Sequence, residues 1–494
     1  MSATPPTPPP RYGTPIHTRS ATTDRYVPRY QNRNTILSRL ANEMYPFVVG
    51  PISADAFLNS FMPPPPVPLD SSFAVGMFDD LINRLHEPEI HYYKSFVRSD
   101  PLRLFSYLIF PFQNGIVSHR LRNLTIKNTS GATDQAPRNR FPFHLKPDCS
   151  VYANCEGMEK APETYLNLSC VDFVIEFKRN LESDPFADSL SEQGVSSPFA
   201  CPEGRALTIL GQLTAYATSI LSAQYRTHTF MIFIVKDYAR LIRWDRSGAV
   251  FTHPIYFNDE SHLMDFFTRY DIADREARGH DTTVSSASLQ DVAIAQANVP
   301  ELGKANNFLD VTISDQHFII PSPESTPDIP VGRWTRASFA YDKHNGRRVL
   351  LKDSWRVLLE GIKPEGDIYR LLHEKRVPNI PSYTLADDVG NEIYHRTRTD
   401  AIVDDQNFEL RNHRPRWKLT SHRHYRIVLH TVGKKLENFS CTQEFVKAML
   451  AALRGKIIIF LAVRPPNLTH IIAHEAAYEA GVLHRDTVLA PATY

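Results

Sequence analysis

The stretch from Glu203 to Phe257 constrains the fold most, because a long helical pattern there is followed directly by three strand-like runs. "EGRALTILGQLTAYATSIL" places apolar side chains at helical spacing along one face, which predicts an amphipathic helix. "HTFMIFIV", "ARLIRWD" and "AVFTHPIYF" follow as apolar runs of strand length, with turns at 236–237 and 247–248. A helix that leads into three strands predicts a mixed α and β fold.

Length and composition narrow the class of protein. The 494 residues are enough for two to four domains, and the formal net charge of +1 argues against a chain that binds polyanions over its whole surface. The five cysteines are odd in number and scattered, which predicts free thiols in a reducing compartment and no zinc site. The first residues, "MSATPPTPPPRYGTP", lack the apolar core of a signal peptide, and "IIIFLAV" is too short to span a bilayer. We therefore expect an intracellular protein of the cytoplasm or nucleus with no membrane partner.

A lysine on a predicted strand and a glutamate on the following helix form the first candidate site. "ASFAYDKHNGRRVLLKDSW" predicts two strands joined at His344-Asn345-Gly346, with Lys352 on the second strand. "PEGDIYRLLHEK" then predicts a helix that begins after Pro364 and carries two candidate partners, Glu365 and Glu374. Such a lysine and glutamate can hold the α and β phosphates of a nucleotide. A lysine that ends an apolar strand is more often a solvated surface residue, so context decides between the two interpretations.

A series of motifs supplies that context, and they occur in this order: "GQLTAYATSIL", "RTHTFMIFI", "ARLIRWDRSGAV", "RGHDTTV", "TRASFAYD", "VLLKDSWR", "EGDIYRLL", "RHYRIVL" and "AYEAGVLHRD". Taken together, these motifs resemble one family, the fungal-type protein kinases of basidiomycetes. The resemblance implies phosphoryl transfer from ATP with Mg²⁺ to serine or threonine of an unidentified protein substrate. It assigns Lys352 to the nucleotide, Glu365 to Lys352, Asp486 to the catalytic base, and Gly332 to the loop over the phosphates.

The sequence departs from that family pattern in three places. Gly332 stands alone where several glycines would let backbone amides approach phosphate. "TVLAPATY" follows Asp486 without the metal-binding Asn or the D-F-G strand of a kinase. Residues 456–473, which contain Pro465-Pro466, interrupt what would otherwise be one continuous helical pattern. Either retained intron sequence or a genuine insertion explains this interruption. We expect this truncated kinase-like chain to have no phosphoryl transfer activity.

A second constellation precedes the kinase motifs. "LKPDCSVYA" is followed, twenty-two residues later, by "EFK", so that Asp148, Glu176 and Lys178 match the pattern P-D…(D/E)-x-K of a nuclease fold. Two carboxylates on adjacent strands can bind Mg²⁺, which polarises a phosphodiester, and a lysine on the same strand face can stabilise the developing charge. A turn aspartate beside a surface salt bridge is the plain alternative for these three residues.

The long helix adds two polar residues to this constellation. Gln212 and Tyr216 are four residues apart and project together from the helix, as in one branch of the nuclease fold that the pattern resembles. Nucleic acid is therefore the second class of partner that the chain fits. Arg240, Arg243 and Arg246 with Trp244 fit either a contact to phosphate and base or a solvated hairpin face.

We expect an α+β or α/β multidomain protein. The predicted organisation has a disordered tail at 1–34, a nuclease-like domain at 35–260, a linker with connecting helices at 261–329 and a truncated kinase-like domain at 330–494. The leading function is that of a fungal-type protein kinase family member. The alternatives are a nucleic-acid-binding or Mg²⁺-dependent nuclease-like module with a vestigial kinase domain, or a scaffold for protein contacts.

Overall fold

A computed structural model gives the structure of this chain. It describes the residues 11–13, 32–64, 123–132, 141–153, 166–186, 189–190, 196–197, 203–303, 305, 307–322, 327, 329–376, 380–406, 417–430, 439–447 and 449–450. The helices are α1 (Arg33–Met44), α2 (Ala54–Phe61), α3 (Gly204–Ala223), α4 (His262–Ile272), α5 (Leu289–Asn298), α6 (Glu365–Glu374) and α7 (Thr399–Gln406).

The strands form two seven-stranded sheets and two short pairs. The strands of the first sheet are β2 (Val48–Ile52), β3 (Leu124–Asn128), β4 (Cys149–Ala153), β5 (Phe173–Lys178), β8 (Thr229–Val235), β9 (Tyr238–Trp244) and β10 (Ala249–Thr252). Those of the second are β11 (Val284–Ser286), β12 (Phe308–Ile313), β13 (Gln316–Pro321), β14 (Arg336–Asp342), β15 (Arg347–Val357), β16 (Tyr383–Asp388) and β18 (His422–Leu429). The short pairs join β1 (Arg11–Gly13) to β17 (Trp417–Leu419) and β6 (Ser189–Leu190) to β7 (Ser196–Ser197). The mixed α and β class is confirmed.

The first sheet is mixed in direction and covered on both faces. Its order is β2-β10-β9-β8-β5-β4-β3, with parallel pairing between β2 and β10 and between β5 and β8. On one face, Phe173 of β5 and Phe230 of β8 contact Phe266 and Tyr270 of α4. On the other face, α3 packs against β8 and reaches Glu176 of β5 through a hydrogen bond from Gln212. Because both faces are covered, all seven residues of β8 are buried, which explains its unbroken apolar sequence.

Helix α3 confirms the helix predicted from residue 203 onward. It is long and apolar enough to cross a membrane by length and composition, but two thirds (67%) of its most apolar window is buried inside the protein. A core helix passes the same test, and here the apolar side chains of α3 pack on the first sheet and on α1.

The close packing of α1 on α3 depends on Gly211. A Cβ atom at this position would lie 1.9 Å from the backbone oxygen of Leu37. We predict that Gly211→Ala lowers the free energy of unfolding by about 3 kcal/mol, because the two helix backbones must separate to admit the methyl group. The measurement is urea unfolding followed by circular dichroism. Gly131→Ala is the matched control, since nothing lies within 4 Å of a Cβ there; equal stability of the two variants would contradict this account.

The second sheet is antiparallel throughout. Its order is β11-β12-β13-β14-β15-β18-β16. The predicted turn between β14 and β15 is confirmed, and Asp342 closes it by accepting hydrogen bonds from the amides of His344 and Asn345. Gly346 adopts φ +64°, a backbone conformation that favours glycine. Helix α6 follows β15 and packs on the sheet through Tyr369.

The segment 261–329 differs from the predicted linker. Helix α4 packs on the first sheet, and β11, β12 and β13 are three strands of the second sheet. Part of the polar stretch 275–283 is buried, since Arg278, His280 and Asp281 are all less than 6% exposed. These polar side chains are satisfied inside the protein: Arg278 donates to the nearby carbonyls of Tyr270 and Asp271, whereas His280 and Asp281 have partners from distant parts of the chain. We call residues 32–282 the first unit and residues 283–430 the second unit.

Candidate functional sites

Lys352 and Glu365 meet in the second unit. Lys352 lies in the middle of β15, and Glu365 is the first residue of α6. The Lys352 Nζ donates to Glu365 Oε1 at 2.9 Å and to Oε2 at 2.8 Å, and each side chain is 20% exposed. The N-terminus of a helix favours a carboxylate, so the position of Glu365 is electrostatically favourable. Glu365 and Glu374 were the two predicted partners of Lys352. Glu365 pairs with the lysine, whereas Glu374 is exposed at the C-terminal end of α6.

The other two residues of the predicted kinase site have different outcomes. Gly332 is buried with φ +113°, and its amide donates to the backbone oxygen of Arg246 in the first unit at 2.9 Å. Because that hydrogen is already committed to a protein acceptor, Gly332 does not offer a free amide to a phosphate oxygen. Asp486 lies outside the described residues.

The nuclease-like residues come together on the α3 side of the first sheet. In the antiparallel ladder Cys149 pairs with Ile175, so the register places Asp148 opposite Glu176. The Asp148 carboxylate also accepts the amide hydrogen of Phe177 at 2.9 Å. Adjacent strands thus present two carboxylates at one place, as the spacing predicts.

Lys178 and Gln212 both donate to the same oxygen of Glu176. The Lys178 Nζ lies 2.5 Å and the Gln212 Nε2 lies 2.8 Å from Glu176 Oε1, and Gln212 also donates to the Tyr216 hydroxyl at 2.7 Å. Glu176 is 2% exposed, and its Oε2 atom has no hydrogen-bond partner among the described residues. One carboxylate oxygen is therefore committed to protein donors, while the second is buried and available.

The local electrostatics suit a cation at this place. Burial raises the pKa of the Cys149 thiol well above its ordinary value, and the negative charges of Asp148 and Glu176 raise it further. Burial likewise raises the pKa of Tyr216, and the Glu176 carboxylate adds to the shift. Both pKa shifts indicate a negative electrostatic potential at this buried place, and such a potential attracts a divalent cation. Paired carboxylates with one unpartnered oxygen fit Mg²⁺, which prefers oxygen ligands.

A third cluster, which the sequence analysis missed, joins the two units. The Arg426 guanidinium donates to Asp353 Oδ2 and to Asp281 Oδ2, each at 2.6 Å. The His424 Nε2 lies 3.0 Å from Asp353 Oδ2, and His395 Nδ1 lies 3.0 Å from His424 Nδ1. Burial opposes ionisation of Asp281 and Asp353, but Arg426 and His424 lower the pKa of each carboxyl. Three motifs of the family resemblance, "RGHDTTV", "VLLKDSWR" and "RHYRIVL", supply every member of this cluster except His395.

This cluster also contains a set of potential metal ligands. Asp281, His395 and His424 place one ligand atom each within 4.8 Å of one another. The His395 and His424 rings are within 6° of parallel, and their centroids are 5.3 Å apart. Because their Nδ1 atoms are only 3.0 Å apart, the rings lie side by side and these two nitrogens face each other. Both nitrogens of His424 thus have protein partners, and the Arg426 guanidinium supplies the positive charge. The cluster is a charge network closed by Arg426.

The basic residues of "RLIRWDR" do not form a nucleic-acid contact or a solvated face. Arg240 pairs with Asp184 at 2.8 Å, and Arg243 pairs with Asp245 at 2.6 Å, in both cases with buried side chains. Arg246 lies over the Trp334 ring at 3.8 Å, in the contact between the units. Both sequence interpretations of this stretch are corrected, because all three arginine side chains are buried: aspartates neutralise Arg240 and Arg243, and Arg246 packs on an aromatic ring.

Comparison with known proteins identifies the family. The model of the fungal protein kinase family matches residues 202–464, which is more than half of the 494 residues. This chain belongs to the fungal protein kinase family. The membership expected from the sequence motifs is confirmed. Comparison with curated proteins and comparison with solved structures found no match.

The family segment of this fungal protein kinase crosses the boundary between the units. It begins just before α3, so it includes β8, β9, β10 and α4 of the first unit as well as the second unit. Gln212, Tyr216, Lys352 and Glu365 lie within the segment, whereas Asp148, Glu176, Lys178 and Asp486 lie outside it. The family model therefore covers parts of both units and is not limited to the second sheet, which carries Lys352.

Buried histidines make the stability of this protein depend on pH. Burial lowers the pKa of His228, His280, His395 and His422, to about 4 for His280 and His422 and about 3 for His395. The unfolded chain binds these protons near pH 6.5, so stability is complete above that pH and is lost as the pH falls. Each histidine should cost roughly 1.4 kcal/mol per pH unit below about 6.5. We predict a lower urea midpoint at pH 5 than at pH 7.5; an unchanged midpoint would contradict the assigned burial.

Proposed function

We propose that Lys352, oriented by Glu365, binds the α and β phosphates of ATP in this fungal protein kinase. The observation that supports the proposal is the two-point hydrogen bonding of the Lys352 ammonium by the Glu365 carboxylate. In the intact family pattern, ATP with Mg²⁺ supplies the phosphoryl group for transfer to a serine or threonine hydroxyl of a protein; for this chain the proposal is nucleotide binding, since the sequence after Asp486 departs from that pattern. Asp486 is the residue that would orient that hydroxyl, by its resemblance to the catalytic base of the family.

The surroundings of Lys352 support this assignment. The ammonium uses its hydrogens on Glu365 from one side and is 20% exposed, so a phosphate oxygen can approach it from solvent. The Glu365 carboxylate limits the rotamers of the Lys352 side chain, which prepares the site before the nucleotide arrives. The strand order β14-β15-β18-β16, with α6 between β15 and β16 in sequence, gives the lysine the strand and helix context of a kinase nucleotide lobe.

A reactive nucleotide tests the position of Lys352 directly. An acyl-phosphate derivative of ATP transfers its acyl group to a lysine amine beside the phosphates; an amide bond forms, the mixed anhydride breaks, and ATP leaves. We expect mass spectrometry to locate the label on Lys352, and excess MgATP to block it. Lys343, an exposed lysine in the turn between β14 and β15, is the internal control. Labelling that is equal at both lysines or insensitive to MgATP would contradict the proposal.

We propose a second activity for the first unit, Mg²⁺-dependent cleavage of nucleic acid at Asp148 and Glu176. The strand order β4-β5-β8, with α3 leading from β5 to the parallel strand β8, agrees with the nuclease-like core that the sequence resembles. The specific observation in its favour is the buried Glu176 Oε2 atom without a hydrogen-bond partner among the described residues. Lys178 would stabilise charge that develops on the phosphate, and Gln212 would orient Glu176.

Manganese binding separates this second activity from a structural role of the carboxylates. Mn²⁺ prefers the same oxygen ligands as Mg²⁺ and is detected by electron paramagnetic resonance. We expect Glu176→Gln to weaken Mn²⁺ binding by at least about tenfold and to abolish Mg²⁺-dependent cleavage of plasmid DNA. Glu182→Gln, at an exposed glutamate that follows β5, is the matched control. Equal Mn²⁺ binding by the wild type and the Glu176 variant would rule out the metal site.

A further inference from the structure

A row of alternating charges crosses the second sheet behind Lys352. Arg336 on β14 pairs in register with Asp353 on β15, and Asp353 pairs in register with Arg426 on β18. Asp281 of the first unit completes the row by accepting from Arg426 at 2.6 Å. All four residues are buried. The row therefore consists of two positive and two negative charges in alternation, with its last member supplied by the other unit.

Arg426 is the centre of this row. Its side chain is fully buried, and its three nitrogen atoms donate to Asp353, to Asp281, and to the Thr283 hydroxyl together with the Thr312 carbonyl. The Thr283 hydroxyl and amide in turn donate to Asp281 Oδ1. Charge-assisted hydrogen bonds of this length are about twice as strong as neutral ones and fix the geometry of the partners.

Both ends of the row are anchored in the first unit. The amide of Asp281 donates to the carbonyl of Tyr225 at 3.0 Å, directly after α3. At the other end, Arg336 donates to the carbonyl of Leu221 at 2.9 Å, in the last turn of α3. A cation there is also favoured by the helix dipole. Strands β14, β15 and β18 are thus attached to the end of one helix of the first unit.

Lys352 and Asp353 are neighbours on β15, and their side chains point to opposite faces of the sheet. Lys352 reaches α6 on one face, while Asp353 faces the first unit on the other. Tyr369, Tyr425 and Ile427 form the apolar cluster on the α6 face. The charge row therefore fixes the backbone position of β15 from behind, at the residue next to the nucleotide lysine.

We propose that Asp281 is a positioning residue for the nucleotide site: acting through Arg426 and Asp353, it holds β15 where Lys352 meets Glu365. The first unit is then part of the nucleotide site, although none of its residues contacts the ligand. This inference rests on the proposed function of Lys352. Loss of the Asp281 charge leaves Arg426 with one carboxylate, so the guanidinium shifts toward Asp353 and the register of β15 against α6 loosens.

The experiment compares Asp281→Asn with Asp184→Asn. Asp184 is an equally buried carboxylate of the first unit, which pairs with Arg240 and is not part of the row. We measure MgATP affinity by calorimetry at a temperature where both variants are folded, and hydrogen exchange of residues 347–357 and 365–374 without nucleotide. We expect Asp281→Asn to weaken MgATP binding about tenfold and to accelerate exchange in both segments, with no such change in Asp184→Asn.

The proposal is overturned if both variants lose similar stability but keep the MgATP affinity and the exchange rates of the wild type. The charge row would then have a purely structural role. If Asp281→Asn does not fold, Thr283→Val provides a milder change, since it removes one donor to Asp281 and one acceptor of Arg426. Absence of MgATP binding in the wild type would contradict the function proposed for Lys352. The exchange measurement, made without nucleotide, would still decide whether Asp281 positions β15.

Discussion

Replacement of Arg426 by methionine should lower the free energy of unfolding by about 3–5 kcal/mol, the cost of breaking a buried charge network from one side. Methionine fills much of the volume of the arginine stem but supplies no donor. Asp281 and Asp353 would then remain as two buried carboxylates whose strongest partner is gone. Each would have to take up a proton or draw water into the contact between the units, and both responses oppose folding.

Urea unfolding of Arg426→Met, followed by tryptophan fluorescence, measures this effect. Arg348→Met is the matched control. Arg348 also lies on β15 and forms an ion pair with Glu301, but its side chain is 43% exposed. The control should change stability by about 0.5 kcal/mol or less. A small effect of Arg426→Met would mean that water already solvates the network. Replacement of Asp353 by leucine in the same chain should recover part of the loss, since an apolar contact then substitutes for the broken pair.

The sequence predicted the elements that follow local rules. The helix after residue 203, the strands β8, β9 and β10 and the β14–β15 hairpin all have strong periodicity or clear turn residues, and all are present. Lys352 and Glu365 were predictable as a pair, because a lysine on a strand and an acidic residue at the start of the next helix need only short-range geometry. Asp148 and Glu176 were predictable as neighbours for a similar reason, since Asp148 directly precedes β4 and Glu176 lies opposite it on the adjacent strand β5.

The contact between the units was not predictable in this way. Asp281, Arg426 and Asp353 are polar residues that propensity assigns to loops and surfaces, and their burial depends on pairing across up to 145 positions of the chain. Gly332 was assigned to a phosphate loop because a glycine was expected there, but its amide is used by the Arg246 carbonyl. Each of these errors concerns long-range partners, which a single sequence does not reveal.

Substitution of Lys352 by methionine should weaken MgATP binding by about a hundredfold or more. The loss of a charge-assisted hydrogen bond to phosphate costs about 1.5–3 kcal/mol, and each 1.4 kcal/mol is a factor of ten in affinity. A further loss follows because Glu365, which now has no ammonium partner, would repel the phosphates. The methionine side chain keeps the apolar stem that lies along the sheet, so the fold should be preserved. Its circular dichroism and urea midpoint should therefore match those of the wild type.

The most direct test of the account is calorimetric titration of MgATP into the wild type, Lys352→Met, Glu365→Gln and Glu374→Gln. Glu374 is the matched control on the same helix, because it was the alternative partner in the sequence and is exposed in the structure. The account predicts measurable MgATP binding by the wild type and by Glu374→Gln, strong weakening in Lys352→Met, and an intermediate loss in Glu365→Gln. Equal affinity of all four proteins would contradict the assignment of Lys352 and Glu365 to the nucleotide, as would a larger loss in Glu374→Gln than in Glu365→Gln.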